Sequence, residues 1–261
     1  MSGGPLLSVR GLAKRYGGVI ALDRVDLDVA AGELVGIIGP NGSGKSTLFD
    51  CVTGLVAPDA GTVALRGEDV TGRATHALAA RGLVRSFQKT AVFGTLSLVD
   101  NLVAAGQAQA FGGTLPAFGL GARAARRTAE LVDRARGFLD ALDLAPLARA
   151  PAAAISFGQQ KLLQFASCLM SRPALVLLDE PLAGVNPVLI ERMAAHIRRA
   201  NAEAGTTFVI VEHNTDVLLG LCARVIVLAR GRVLAAGPPA AVARDARVIE
   251  AYLGAPLDDN G

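Results

Sequence analysis

The stretch GPNGSGKST, Gly39 to Thr47, has the spacing G-x-x-x-x-G-K-[ST]. It follows ELVGIIG, a continuous apolar run that suits a strand buried on both faces of a parallel sheet, and it opens an expected helix from Lys45 to about Cys51. Gly39, Gly42 and Gly44 allow backbone angles that curl successive N–H groups around a phosphate. Lys45 adds a point charge for β- and γ-phosphates. Ser46 offers its hydroxyl to Mg²⁺, and the helix N-terminus contributes its partial positive charge. Pro40, Asn41, Ser43 and Thr47 complete the loop. The chemistry is the holding of a Mg²⁺–nucleoside triphosphate. The bland alternative is a glycine-rich turn in a chain with 30 glycines. The strand before it and the helix after it argue for the phosphate loop.

A second apolar run, LVLLDEP, brings Asp179 and Glu180 to the carboxyl end of a strand, the edge of an open parallel sheet where ligands bind. Neighbours on a strand point opposite ways, so the two acids divide the work. Asp179 is expected to hold Mg²⁺ through its water shell. Glu180 is expected to face the γ-phosphate and polarise the attacking water. Gln88 ends the strand GLVRSFQ, where an amide could ligate Mg²⁺ or hold the water, or be a polar loop residue. His213 ends a third buried strand, TTFVIVEH, and is expected to contact the γ-phosphate rather than serve as a surface histidine. Tyr16 in KRYGG fits stacking on adenine and an ordinary strand position equally well.

The stretch ISFGQQKLLQFA, Ile155 to Ala166, reads as a helix with Ser156 as N-cap. Its mouth carries a glycine and two amides. Helix mouths attract anions, because their first N–H groups have no partner inside the helix.

These groups need a scaffold. In 261 residues, 51% hydrophobic, there is room for one large α/β domain with an insertion. LLSVRGL, VDLDV and TVALRG have the alternation of short strands. From about Val92 to Met170 strand signals give way to Ala/Leu/Arg helical patterns. Strands then resume, around an amphipathic helix with Pro187 at its start and Gly205 at its end. The net charge of +3 is spread along the chain and does not argue for nucleic acid. Cys51, Cys168 and Cys222 show no metal spacing and are expected as reduced, partly buried thiols. The N-terminus has no apolar signal core. The charge-free run from Asn101 to Ala122 is long enough to span a bilayer, but five glycines and a proline exclude it as a transmembrane helix. It reads as a partner surface or as a long flexible loop. Arg123, Arg126, Arg127, Arg134 and Arg136 read as a solvated helix face, with a place near lipid phosphates as the alternative.

The order and spacing of Tyr16, Gly39–Thr47, Gln88, Ser156–Gln160, Asp179–Glu180 and His213 resemble the ATP-binding subunits of ABC transporters over essentially the whole chain. The resemblance implies an α/β fold: a P-loop NTPase core, with a mixed sheet, flanking helices and an antiparallel β subdomain, carrying an inserted α-helical subdomain. It places the core at residues 1–91 and 157–261 and the helical subdomain at 92–156. Ile155-Ser-Phe-Gly-Gln159 then matches the family's signature, usually Leu-Ser-Gly-Gly-Gln, with Phe157 in place of the first glycine. Ser156, Phe157, Gly158 and Gln159 are expected to meet the γ-phosphate held by a second ATP-binding subunit, identical or paralogous. LAGVNP, Leu182 to Pro187, is similar to the loop crossing that dimer seam, with Asn186 replacing the usual aspartate.

SFGQQK, RSFQ, AGVNP and the ending VIEAYLG resemble the branched-chain amino-acid importer type most. This implies a Mg²⁺-dependent ATPase, peripheral on the cytoplasmic face of the membrane. Membrane-spanning permease subunits would dock in the groove of the helical subdomain and the Gln88 loop, and a solute-binding protein would be engaged only indirectly. The rival readings are lipid or lipopolysaccharide export, a soluble non-transport ABC ATPase and a regulatory module without turnover. The chain has no heptads or second ATPase domain to favour the soluble reading, and intact Glu180 and His213 weigh against the regulatory one.

Overall fold

The structure, a computed structural model, describes residues 4–86, 92–110, 121–212 and 215–253; the side chains of 108–110, 121–124 and 253 lie outside that description. Gln88 and His213 fall outside the described residues.

The apolar runs build a six-stranded sheet. Its order is β10 (Arg232–Gly237), β9 (Arg224–Ala229), β3 (Leu34–Ile38), β8 (Thr207–Val211), β7 (Leu175–Asp179) and β6 (Leu83–Arg85). The strands from β9 to β6 run parallel, and β10 pairs antiparallel with β9. The central strands read as continuous apolar runs because both faces are covered. On β7, Leu175 and Leu177 enter one hydrophobic core and Val176 and Leu178 enter the other. The parallel register brings Ile38, Val211, Asp179 and Arg85 to one edge.

A four-stranded antiparallel sheet, β2 (Val19–Val29), β1 (Leu7–Tyr16), β4 (Ala60–Leu65) and β5 (Glu68–Asp69), covers the core that also takes Leu48, Phe49 and Val52 of α1 (Lys45–Val52). β1 and β2 are longer than their alternation suggested. Repeated register shifts between them let both strands bend across the core. After α2 (Thr75–Ala80) and β6, the chain enters the helical segment with α3 (Leu98–Ala110) and α4 (Gly121–Ala141), then short 3₁₀ turns and α5 (Phe157–Leu169). Among the described residues no helix is long and apolar enough to cross a membrane.

Asn101–Ala110, the first part of the charge-free run, is helical. Leu98 and Leu102 of α3 are fully buried, and Asn101 accepts from Phe93 N at 2.8 Å while donating to the Phe93, Leu96 and Ser97 carbonyls. Residues 111–120 lie outside the described residues. Arg126, Arg127 and Arg136 are exposed, but Arg134 departs from the solvated face expected for it. Its Nη2 donates to Leu169 O at 3.0 Å, its guanidinium lies 5.6 Å from the Phe138 ring centre, and burial lowers its pKa. The three cysteines are free and buried, and burial pushes the thiols up to about 11 at Cys51 and about 12 at Cys168 and Cys222.

Candidate functional site

The loop between β3 and α1 adopts backbone angles that side chains oppose. Gly39 has φ 153° and Gly44 φ 104°, and a Cβ at either would run into a carbonyl oxygen, that of Leu228 or of Ala21. Gly42 differs from these two. Its φ of 79° is left-handed, but a Cβ there would meet nothing within 4 Å, so the angle alone and not crowding calls for glycine. Behind the loop the Gly231 N–H donates to Ser43 O at 3.0 Å. Lys45 is buried inside the loop. Its ammonium donates to Gly39 O at 2.7 Å and to Pro40 O at 3.1 Å. Burial lowers its pKa, and Glu180 and Asp179 oppose that shift.

A cavity of about 330 Å³ opens on this loop. Asn41, Gly42, Ser43, Gly44, Lys45, Ser46 and Thr47 line it, with Glu180 and the β2 residues Val19, Ile20 and Ala21. Gly39 and Pro40, expected among the nucleotide contacts, do not line it; they hold the lysine from behind through their carbonyls. Ser46 is exposed there. Glu180 reaches the cavity through a turn. Its φ is 48°, left-handed and costly for a residue with a Cβ, and its backbone N–H donates to Val211 O at 2.9 Å. That turn separates it from Asp179, which is 4% exposed and does not line the cavity. Asp179 Oδ2 accepts from Arg85 Nη2 at 2.7 Å, and the Asp179 N–H donates to Ser86 Oγ at 3.1 Å.

Tyr16 does not line this cavity. It sits directly across the hairpin from Val19, 48% exposed, with Lys14 Nζ 5.6 Å from its ring centre. The exposed apolar residues beside the loop are Val19 and Ile20, which belong to no motif and carry no signal in the sequence.

The donor set suits Mg²⁺. Among the described residues no group of three or more His, Cys, Asp or Glu forms a metal cage. Mg²⁺ takes one or two protein oxygens and fills the rest of its octahedron with phosphate and water. Ser46 and Asp179 are oxygen donors of that kind beside the loop.

Ser156 and its neighbours line a separate cavity of about 680 Å³, with Leu142–Leu144, Gly184–Asn186 and α6 (Pro187–Ala204), and it shares no lining residue with the phosphate-loop cavity. Ser156 caps α5. Its Oγ accepts from Gln159 N at 3.3 Å, and Gln159 Oε1 accepts from Ser156 N at 2.9 Å, a reciprocal capping box. Gln160 turns inward and donates to Ala152 O at 3.0 Å. Phe157 is 49% exposed, with Lys161 Nζ 5.6 Å from its ring centre. The glycine at 158 has a packing reason, since a Cβ there would meet Leu189 Cδ2. Asn186 caps α6 by accepting from Leu189 N at 2.9 Å, a job an aspartate would do equally well.

Three further polar residues stand at the carboxyl edge of the sheet. Arg85 ends β6. Glu212, 4% exposed, accepts from Leu182 N at 2.6 Å through Oε1 and so ties the end of β8 to the Leu182–Pro187 loop. Lys161, equally buried on α5, has its pKa lowered by burial, with Glu212, Glu180 and Asp179 opposing. Their only sequence signal was a charge inside an apolar run or beside a motif.

A family model described as ABC transporter matches residues 22–183, and one described as branched-chain amino acid ATP-binding cassette transporter matches residues 232–258. The chain is 36% identical over 256 residues to the high-affinity branched-chain amino acid transport ATP-binding protein LivG of Escherichia coli, covering 96% of this chain and 98% of that one. It is 34% identical over 250 residues to BraF of Pseudomonas aeruginosa, of the same description, with the same coverage. It is also 32% identical over 251 residues to the lipopolysaccharide export system ATP-binding protein LptB of Escherichia coli, covering 95% and 97%. Among solved structures, a nucleotide-free ATP-binding cassette from an ABC transporter superposes with a TM-score of 0.82 at 32% identity, covering 95% and 98%. A dimeric bacterial ABC transporter cassette, MJ0796, gives 0.75 at 25% identity, covering 89% and 98%.

Proposed function

The chain belongs to the ATP-binding cassette family of ABC transporters, and on that premise we propose that it powers the import of branched-chain or related amino acids by hydrolysing ATP for membrane-spanning partner subunits. The observation that carries the reading is the meeting of Lys45, Ser46 and Glu180 in one cavity at the carboxyl edge of the sheet. The loop amides and Lys45 bind the β- and γ-phosphates. Val19 and Ile20 border the space where the base would lie, and Tyr16, across the hairpin from Val19, would stack on the base from outside that cavity. Ser46 and Asp179, with Gln88, would hold Mg²⁺, which when bound neutralises phosphate charge. Glu180 takes the proton of the attacking water, and His213 steadies the γ-phosphate. The turn at Glu180 aims this base into the cavity while Asp179 keeps its own place.

The second cavity supports a paired arrangement. Ser156, Phe157, Gly158 and Gln159 have no nucleotide loop of their own beside them, so their helix mouth serves the γ-phosphate bound by a second cassette, identical or paralogous. A cassette of similar structure, MJ0796, is dimeric, which supports the pairing. The permease subunits would place the chain on the cytoplasmic face of the membrane. The core and helical subdomains are proposed at 1–91 with 157–261 and at 92–156.

Amino-acid import is favoured by the match at 232–258 and by LivG and BraF. Lipopolysaccharide export is the second reading, on the identity to LptB. The test isolates the membrane proteins that co-purify with the chain, reconstitutes them with it in liposomes, and follows ATP-dependent movement of labelled leucine. Turnover of ATP without movement of leucine or a related amino acid would overturn the import reading.

A further inference from the structure

The Arg85 guanidinium forks between two carboxylates that come from different parts of the chain. Nη1 lies 2.5 Å from Asp50 Oδ1, and Nη2 lies 2.7 Å from Asp179 Oδ2. The side chains of Arg85 and Asp179 are 8% and 5% exposed, so both charges are largely removed from water. The guanidinium carbon lies over the Phe49 ring, 5.5 Å from its centre. Ser86, the next residue, takes the Asp179 N–H. Asp179 is therefore held at side chain and backbone by two consecutive residues, Arg85 at the end of β6 and Ser86 just after it.

Asp50 is four residues after Ser46 on α1, so the two share one face of that helix, a turn apart. Arg85 thus spans the gap between the helix bearing Ser46 and the strand bearing Asp179. It does so three residues before Gln88. Its charge is offset by Asp50, which leaves the negative charge of Asp179 available to a cation. A lysine could not do this work, because one ammonium cannot reproduce the planar two-pronged donation.

We infer that Arg85 is a positioning residue for the metal side of the nucleotide site, fixing the Asp179 carboxylate relative to Ser46 through its fork to Asp50 and Asp179. The inference rests on the reading of Ser46 and Asp179 as the groups that hold Mg²⁺. It predicts that Arg85 matters to how strongly the metal tightens nucleotide binding and is nearly silent when the metal is absent.

The experiment measures equilibrium affinity of the full chain for the slowly hydrolysed analogue ATPγS, in excess EDTA and in Mg²⁺ at matched ionic strength. The metal gain is the ratio of the two. Arg85→Lys keeps the charge and removes the fork; its metal gain should fall about tenfold while its affinity in EDTA changes by less than about twofold, as expected when a partner that orients a metal-binding group is lost. Arg85→Met separates geometry from charge. Removing a cation beside a cation site would by charge alone raise the gain, whereas loss of positioning lowers it. A wild-type gain in Arg85→Lys, or a raised gain in Arg85→Met, would overturn the inference. So would a parallel loss of EDTA affinity in both variants, which would place Arg85 in the support of the phosphate loop. A wild-type protein with no metal gain would instead overturn the reading of Ser46 and Asp179 on which the inference stands.

Discussion

Asp179 and Glu180 are consecutive in the chain and occupy different surroundings: Asp179 is 4% exposed against Arg85, and Glu180, turned by a φ of 48°, lines the phosphate-loop cavity. On the proposed roles, the base can therefore be removed without disturbing the metal side. Glu180→Gln should lower ATP turnover by roughly 10²–10⁴, the usual loss for a general base, and leave nucleotide affinity intact. Uncleared ATP should hold two chains together, so the variant should elute as a pair in Mg²⁺–ATP and singly without it. Where the natural partner is a paralogue, it is co-expressed. An ATP-bound Glu180→Gln protein that never pairs would remove the face-to-face arrangement.

Adding Ser156→Arg to Glu180→Gln should abolish that pairing while affinity for ATP persists. The bulky cation blocks the helix mouth, and the phosphate loop lies in another cavity. Ser156→Ala in place of Ser156→Arg loses the cap alone, worth about 1 kcal/mol, and distinguishes a frayed helix from a blocked mouth. Chromatography of the two double variants, with a melting curve for each, decides between them.

Lys45→Ala should weaken ATP binding by about 2–5 kcal/mol, as for one partner removed from a buried charge-assisted contact. The lysine is held by the Gly39 and Pro40 carbonyls, so its removal also takes the ammonium from both oxygens, while Pro40 O keeps the Ser43 N–H at 3.2 Å. Calorimetric titration with ATP tests this, and undiminished affinity would take the loop out of the account.

Tyr16→Ala and Ile20→Ala compare two routes to the base. Stacking by Tyr16 is worth on the order of 1 kcal/mol. Ile20 lines the cavity and Tyr16 does not, so Ile20→Ala should cost ATP affinity by a similar amount. Neither variant should alter affinity for inorganic triphosphate. Equal wild-type affinities for ATP and triphosphate would leave no role for either residue.

Asn186→Ala should lower stability to urea by about 1 kcal/mol through loss of the α6 cap. Asn186→Asp keeps the acceptor and adds a negative charge at a helix N-terminus, a gain of about 0.3–1 kcal/mol. An unchanged urea midpoint in Asn186→Ala would show that Pro187 alone sets the start of α6.

The phosphate loop and the buried strands were legible because their causes are local. Gly39, Gly42 and Gly44 need angles that follow from the loop itself, and the unbroken apolar run of β7 follows from a sheet covered on both faces. What escaped depends on distant partners. Arg85 meets Asp179 94 residues away, and Arg134 meets Leu169 35 residues away, so a cation expected in water is part-buried. Gly158 reads as a phosphate contact from its motif, and its clearance from Leu189 is visible only once α5 and α6 are packed. Gln88 and His213 lie outside the described residues, and their roles rest on the order of motifs.

The margins of the two sheets bear on how this chain avoids sticking to its copies. β6 is three residues long, β5 is two residues and both acidic, and β10 changes register against β9 between Val233 and Ala235. The long β2 is tied to the β9–β10 hairpin, where the Asp23 N–H donates to Gly231 O at 2.8 Å and Asp23 pairs with Arg232. Short, charged, bulged and covered margins are the devices by which β proteins resist strand-to-strand aggregation. Among the described residues, then, association has no long flat ribbon of unpaired amides to grow from. It is left to side-chain surfaces, where contact can be made and broken without unravelling a sheet.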